Sequence, residues 1–173
     1  MLLGGSNLYD PTIFENLKVA FENQVYDLDN VDRKIMITNR VDRMDFAIQF
    51  TLADHPHVTA EIVLRASVKD LAGEILELPS KNLGCLLVVR FNKPVQNVAV
   101  QCKRIEQALN IIWETDIQLT QTVSFVYEQE ASSYQNLIEV KFKSKINEEH
   151  MGDIAEFLDH VLESLEVLND IEA

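Results

Sequence analysis

Two histidines lie close together in the run Asp54-His55-Pro56-His57. In an extended segment, residues two apart point the same way, so His55 and His57 together have the geometry to hold Zn2+. A zinc site needs three or four ligands. No further Cys or His is near them in sequence, and His150 and His160 face different ways on one helical stretch. The pair is therefore a weak metal candidate, a polar hairpin turn is the plainer expectation, and no metal is assigned. The run Asp27-x-Asp29-Asn30-x-Asp32 has the acidic opening of a calcium loop. That loop needs Gly at its sixth position and Glu at its twelfth, where this chain has Asp32 and Thr38, so an acidic turn is expected.

Nucleophilic chemistry has no visible frame. There is no Gly-x-Ser-x-Gly elbow. Cys85 lies in an apolar run and Cys102 on an apolar helical stripe, positions that usually belong to a core. The five glycines form neither a phosphate loop nor a dinucleotide fingerprint. No catalytic residue and no cofactor follow from the sequence.

Charge is the strongest pattern. The chain carries a net charge of −13, unevenly spread. Residues 1–32 hold six acids and one base (−5), residues 33–146 hold 13 acids and 14 bases (+1), and residues 147–173 hold nine acids and no Lys or Arg (−9). An anionic field disfavours phosphate backbones and anionic lipid, so neither nucleic acid nor membrane is an expected partner. In the last segment Met151, Ile154, Leu158, Val161, Leu165 and Leu168 follow 3-4-3-4-3 spacing, widened by Phe157, Leu162 and Ile171. Such a stripe suits a helix packed on a sheet. Its acids, Glu149, Asp153, Glu156, Glu163 and Glu166 among them, then face outward as candidate partner contacts. A parallel self-paired coiled coil would set Glu against Glu. Lys141, Lys143 and Lys145 alternate along the preceding stretch, and are expected to form a row on one strand face that could meet the acidic helix of a second copy.

The elements that must position these residues follow from periodicity. Asp10-Pro11 predicts a helix start, with an apolar stripe from Ile13 through Phe21, although Leu17, Val19, Phe21 and Val25 also alternate as a strand would. Residues 34–40 read as a strand. Phe46 to Leu52 and Val58 to Leu64 alternate with period two, predicting an antiparallel hairpin. Ser67 and Asp70 resemble a capping box for a helix with the stripe Val68, Leu71, Ala72, Ile75 and Leu76, ended by Pro79. Gly84 to Phe91 reads as a central strand covered on both faces, closed by Pro94. Val98 to Ile112 reads as a helix, 117–127 and 140–146 as strands, and Asn147 as the cap of a helix running to about Asp170. The sum is an α+β fold: a mostly antiparallel sheet of about six strands, helices packed on one face, and a long amphipathic C-terminal helix. One domain over 1–173 is expected. The strand–strand–helix order shared by 44–78 and 117–171 allows an old duplication, with halves of about 1–80 and 81–173.

Met1 to Gly5 lacks a basic start and a long apolar stretch, and the longest apolar run, Cys85 to Val89, is short of a membrane span. Two cysteines in a chain of this length fit a cytoplasmic protein with reduced thiols. The element order and acidity loosely resemble small acidic bacterial secretion chaperones. That resemblance covers element order only, with an extra strand and helix here and no shared motif. The missing motifs, the Thr, Gln, Ser and Lys at the surface-facing strand positions and the scarcity of His point to a non-catalytic, chaperone- or regulator-like module that binds another protein or itself as a homodimer. Two alternatives are a small-molecule binder with an apolar pocket between sheet and C-terminal helix, and an enzyme whose site leaves no sequence motif.

Overall fold

The computed structural model describes residues 11–42, 45–77, 83–114, 117–127 and 134–172. Helix α1 spans Ile13–Asn30, β1 Ile35–Asp42, β2 Asp45–Leu52, β3 Thr59–Ala66, α2 Val68–Ile75, β4 Cys85–Val95, α3 Val98–Trp113, β5 Ile117–Ser124 and β6 Tyr134–Phe142. A 3-10 helix over Glu148–Asp153 leads into α4, Ile154–Asp170. The six strands form one antiparallel sheet in the order β1-β2-β3-β4-β6-β5.

Period-two alternation decides which face of the sheet is buried. Phe46, Ile48 and Phe50 of β2, Ala60, Ile62 and Leu64 of β3, Leu87, Val89 and Phe91 of β4, and Ile138 and Val140 of β6 all turn to one side and are buried. On that side α4 packs against β2, β3 and β4, α1 against β1 and β3, and α3 beside β5 and α4. Helix α2 sits at one end, where the Glu74 carboxylate accepts the Ile13 backbone N–H at 2.7 Å.

Several local expectations are corrected. Asp10 lies outside the described residues, and α1 is capped by Thr12, whose hydroxyl accepts from the Glu15 amide while Glu15 reaches back to the Thr12 amide. The strand-like alternation in 17–25 loses to the helical one because Leu17, Phe21 and Val25 share the face that meets the sheet. Ser67 does cap α2 by accepting from the Asp70 amide, but Asp70 bonds the Ser67 hydroxyl at 2.6 Å and not its backbone, so the box is incomplete. The apolar stripe of α2 is not buried: Val68, Ala72, Ile75 and Leu76 are exposed. Pro79 lies outside the described residues.

Strand β4 is central but covered on one face only, with Leu86 exposed and Val88 and Arg90 half-buried. Pro94 does not close it; the strand runs on to Val95 with Pro94 opposite Gln135 near its end. Strand β5 stops at Ser124, short of Tyr127. The last strand is β6, which ends at Phe142, with Ile146 reduced to an isolated bridge to Cys85. Asn147 caps the 3-10 helix and not α4 itself. The run Glu130-Ala131-Ser132-Ser133, whose composition reads as a loop, lies outside the described residues.

Candidate functional site

The feature that combines the most charge with the most order is the outer face of α4. Its inner face is fixed by burial. Ile154, Leu158, Val161, Leu165 and Leu168 are almost fully buried, at about 1.5–3 kcal/mol each. That rotation leaves Glu156, Asp159, Glu163, Glu166 and Asp170 exposed, again at 3-4-3-4 spacing, so five carboxylates form one ridge along the helix. Among the described residues none of the five forms an ion pair with a Lys, Arg or His, although Arg33 and Lys34 border grooves that Asp159, Glu166 and Asp170 also line. Each like-charged neighbour on a helix costs about 0.2–0.5 kcal/mol. The buried seam outweighs that several times over, so the ridge is a burden the fold carries readily. Glu149 and Asp153, on the 3-10 helix, are exposed as well and extend the acidic surface.

Two contacts lock α4 in this rotation. Ser164 sits on the buried face and its hydroxyl accepts the indole N–H of Trp113 at 2.9 Å, while donating to the His160 carbonyl at 2.7 Å. At the other end, buried Gln101 accepts from the amides of Gln96 and Asn97 and donates to the Glu172 carbonyl. Sequence reasoning missed both. The signal was present, since Gln101 and Ser164 are polar residues at positions where the helical spacing calls for apolar ones.

The expected lysine row is not there. Lys141 alone lies in β6, an internal strand, and pairs with Glu139 at 3.3 Å; Lys143 and Lys145 follow the strand. Lys145 contacts both carboxylate oxygens of Asp70, at 2.8 and 2.6 Å. The Lys145 hydrogen bond, helped by that from Ser67, holds the Asp70 carboxyl below its usual range. The chain does not keep the three residues extended beyond Phe142, so alternation does not bring them to one face.

The sheet face away from the helices carries a charged row instead. Gln49, Glu61, Arg90 and Glu139 are successive cross-strand partners on β2, β3, β4 and β6. Arg90 reaches Glu139 at 2.9 Å and Glu61 at 3.2 Å, and Gln49 donates to Glu61 at 2.9 Å. The Arg90 guanidinium holds the Glu139 carboxyl low. These pairs satisfy one another and leave no group poised for proton transfer.

His55 and His57 are exposed on the turn between β2 and β3, and no three His, Cys, Asp or Glu residues among the described ones form a metal-holding group. His55 borders a polar groove of about 470 Å3, shared with Arg33, Lys34, Asp54, Glu166 and Asp170. A second groove, of about 250 Å3, opens between the sheet and the start of α4. Phe21, Leu87, Phe142, Ile146, Ile154 and Phe157 line its apolar floor. Both cysteines are free. Burial pushes the Cys85 thiol up to about 12 and raises that of Cys102, the reverse of what a nucleophile needs.

No described helix is long and apolar enough to cross a membrane. Compared with known proteins, the chain matches no family model, no curated protein and no solved structure.

Proposed function

We propose that this chain is a non-catalytic protein-binding module, chaperone- or regulator-like in kind, whose partner contacts the acidic ridge of α4. One observation carries the reading: five exposed carboxylates in heptad register on a helix whose other face is locked down, none of them in an ion pair among the described residues. A rigid, regularly spaced row of charge suits a basic surface or basic helix on the partner, and it favours fast, salt-sensitive association. The nucleophiles and titratable groups give no support to a catalytic reading. The two free cysteines, one of them buried, support a reducing cytoplasmic setting.

The test is co-purification of the chain from its own cells at physiological salt, using two variants of equal charge. One neutralises the ridge (Glu156→Gln, Asp159→Asn, Glu163→Gln, Glu166→Gln). The other removes four acids elsewhere (Asp27→Asn, Asp32→Asn, Glu77→Gln, Glu106→Gln). A partner held by the wild type and the second variant, and lost by the first, supports the reading. A partner held equally by all three contradicts it.

The apolar groove favours a second reading, a small apolar ligand between sheet and C-terminal helix. The groove is smaller than the usual 300–1,000 Å3 of drug-sized sites, so the ligand would be small. Trp113, the single tryptophan, touches two of its lining rings, Phe142 and Phe157, at 5.5 and 5.7 Å. Saturable change in Trp113 fluorescence on titration with small aromatic acids would support that reading, and its absence would remove it.

A further inference from the structure

The two edges of the sheet are built differently. Strand β1 has the usual defences of an edge. It has a register shift between Ile37 and Asn39, its sequence includes Arg40 and Asp42, and its Arg40 guanidinium bonds Glu22 of α1. Strand β5 has none. It pairs regularly with β6 over all eight residues, without a bulge. From Ile117 to Tyr127 the sequence has no charged residue, no Pro and no Gly. Beyond the strand, Phe125, Val126 and Tyr127 are 68%, 62% and 79% exposed. An uncharged strand whose outer backbone edge is unpaired among the described residues is a template for another strand.

We infer that β5 is a self-association edge, on which the β5 strand of a second copy pairs antiparallel to give a continuous twelve-stranded sheet. Three features select a second copy. The first is self-complementarity. A two-fold axis normal to the sheet at Gln121 sets Leu119 against Val123 on the helix side, and Thr120 against Thr122 and Gln118 against Ser124 on the open side. Each face therefore meets its own kind, and the backbone groups that β6 leaves unpaired meet their counterparts. The second is charge. Two copies repel through −13 each, but α1 and α4, which hold most of the excess acid, pack over β1 to β4. Beside β5 lies α3, whose Lys103, Arg104 and Glu106 sum to +1, and the strand itself is uncharged; Glu114 and Asp116 precede it in sequence and Glu128 and Glu130 follow, so the pairing should strengthen as salt is added. The third is that an isologous contact uses a single patch on both copies and closes after two, which suits an edge that would otherwise aggregate. This surface is separate from the ridge of α4, and the inference does not depend on the function proposed for it.

Light scattering across a concentration series tests it, on the full chain and on Thr120→Lys/Thr122→Lys. Both threonines are exposed, and Thr120 lies opposite Glu139, so the lysines are tolerated in the monomer and set four cations together at the two-fold. The wild type is expected at twice 19.8 kDa, and the lysine variant at the monomer mass with unchanged circular dichroism. Mixing it with Thr120→Glu/Thr122→Glu should restore the dimer. Hydrogen exchange on the wild type keeps the test independent of any variant's folding: amides of 117–124 should gain protection with concentration, and those of β1 should not. A wild type that stays monomeric at high concentration overturns the inference. So does a dimer that survives the lysines or leaves β5 exchange unchanged. Loss of the dimer in the ridge variant with β5 intact would also overturn it.

Discussion

The Trp113 indole N–H and the Ser164 hydroxyl meet at 2.9 Å, tying the last residue of α3 to the middle of α4. Ser164 is fully buried, and Trp113 also packs at 5.5 Å on Phe142 and His160 and at 5.7 Å on Phe157. The contact matters beyond its own energy because it fixes which way α4 is rotated, and so which way the ridge points. Ser164→Ala takes the partner from the indole N–H of half-buried Trp113, a loss of about 0.5–1.5 kcal/mol. Urea unfolding followed by Trp113 fluorescence should show that drop, and an unchanged midpoint would mean that the bond does not hold the helix.

The ridge repels itself, so salt should stabilise the protein. Neutralising Glu156, Asp159, Glu163 and Glu166 removes like-charge neighbours worth about 1 kcal/mol in total at low ionic strength. The melting temperature of that variant should exceed the wild type's at low salt, and the gap should close as salt is added. A gap that does not respond to salt would argue against repulsion as its cause.

Gly84 precedes β4 where the chain runs against Ile146. A Cβ at Gly84 would sit 2.5 Å from the Ile146 carbonyl oxygen, which itself accepts the Cys85 amide at 2.8 Å. Backbone cannot give way as a flexible side chain can, so Gly84→Ala should cost about 1–3 kcal/mol. Gly152→Ala, where a Cβ meets nothing within 4 Å, is the control and should be close to neutral or stabilising. Thermal melts of the two variants separate these outcomes.

Asp70 gives a pH signature with a defined sign. Its folded carboxyl is held below the ordinary 3.8, first by the Lys145 hydrogen bond and then by Ser67. The stability this supplies is present above the ordinary value and is lost as pH falls through the lowered one. Lys145→Met should therefore be less stable than wild type near neutrality, with the difference shrinking in acid below 3.8. A constant difference across that window would assign the loss to packing alone.

Lys93 is buried on the helix side of β4, opposite fully buried Asn136, and has no hydrogen bond or ion pair among the described residues. Burial lowers its pKa from the ordinary 10.5. The unfolded chain then binds the proton more tightly, so stability should rise with pH between the lowered value and the ordinary one. Lys93→Met should stabilise the protein at neutral pH, by an amount that diminishes as pH approaches 10.5. Destabilisation at neutral pH would mean that the ammonium has a role in the fold.

Much of this architecture is legible in the residues. The alternation of Phe46, Ile48 and Phe50 with polar neighbours fixes both strand and buried face, and the 154-158-161-165-168 spacing fixes the rotation of α4 and hence its acidic ridge. What alternation cannot show is where a strand stops. Lys141, Lys143 and Lys145 continue the period, yet the chain turns after Phe142, and Lys145 bonds Asp70, 75 residues away. Apolar content also fails to separate a strand covered on two faces from one covered on one. Leu86 and Val88 read as core but stand on the open face, away from the side on which the described helices α1, α3 and α4 pack. Strand order is long-range as well: nothing local to Ile117–Ser124 says that it forms an edge.

The most direct measurement is the affinity of the co-purified partner for the two equal-charge variants, by calorimetry at physiological salt. Binding through the ridge predicts at least tenfold weaker affinity for the variant lacking Glu156, Asp159, Glu163 and Glu166, and an affinity near wild type for the one lacking acids elsewhere. Equal affinity for the two variants, or no partner retained at all, would contradict the account.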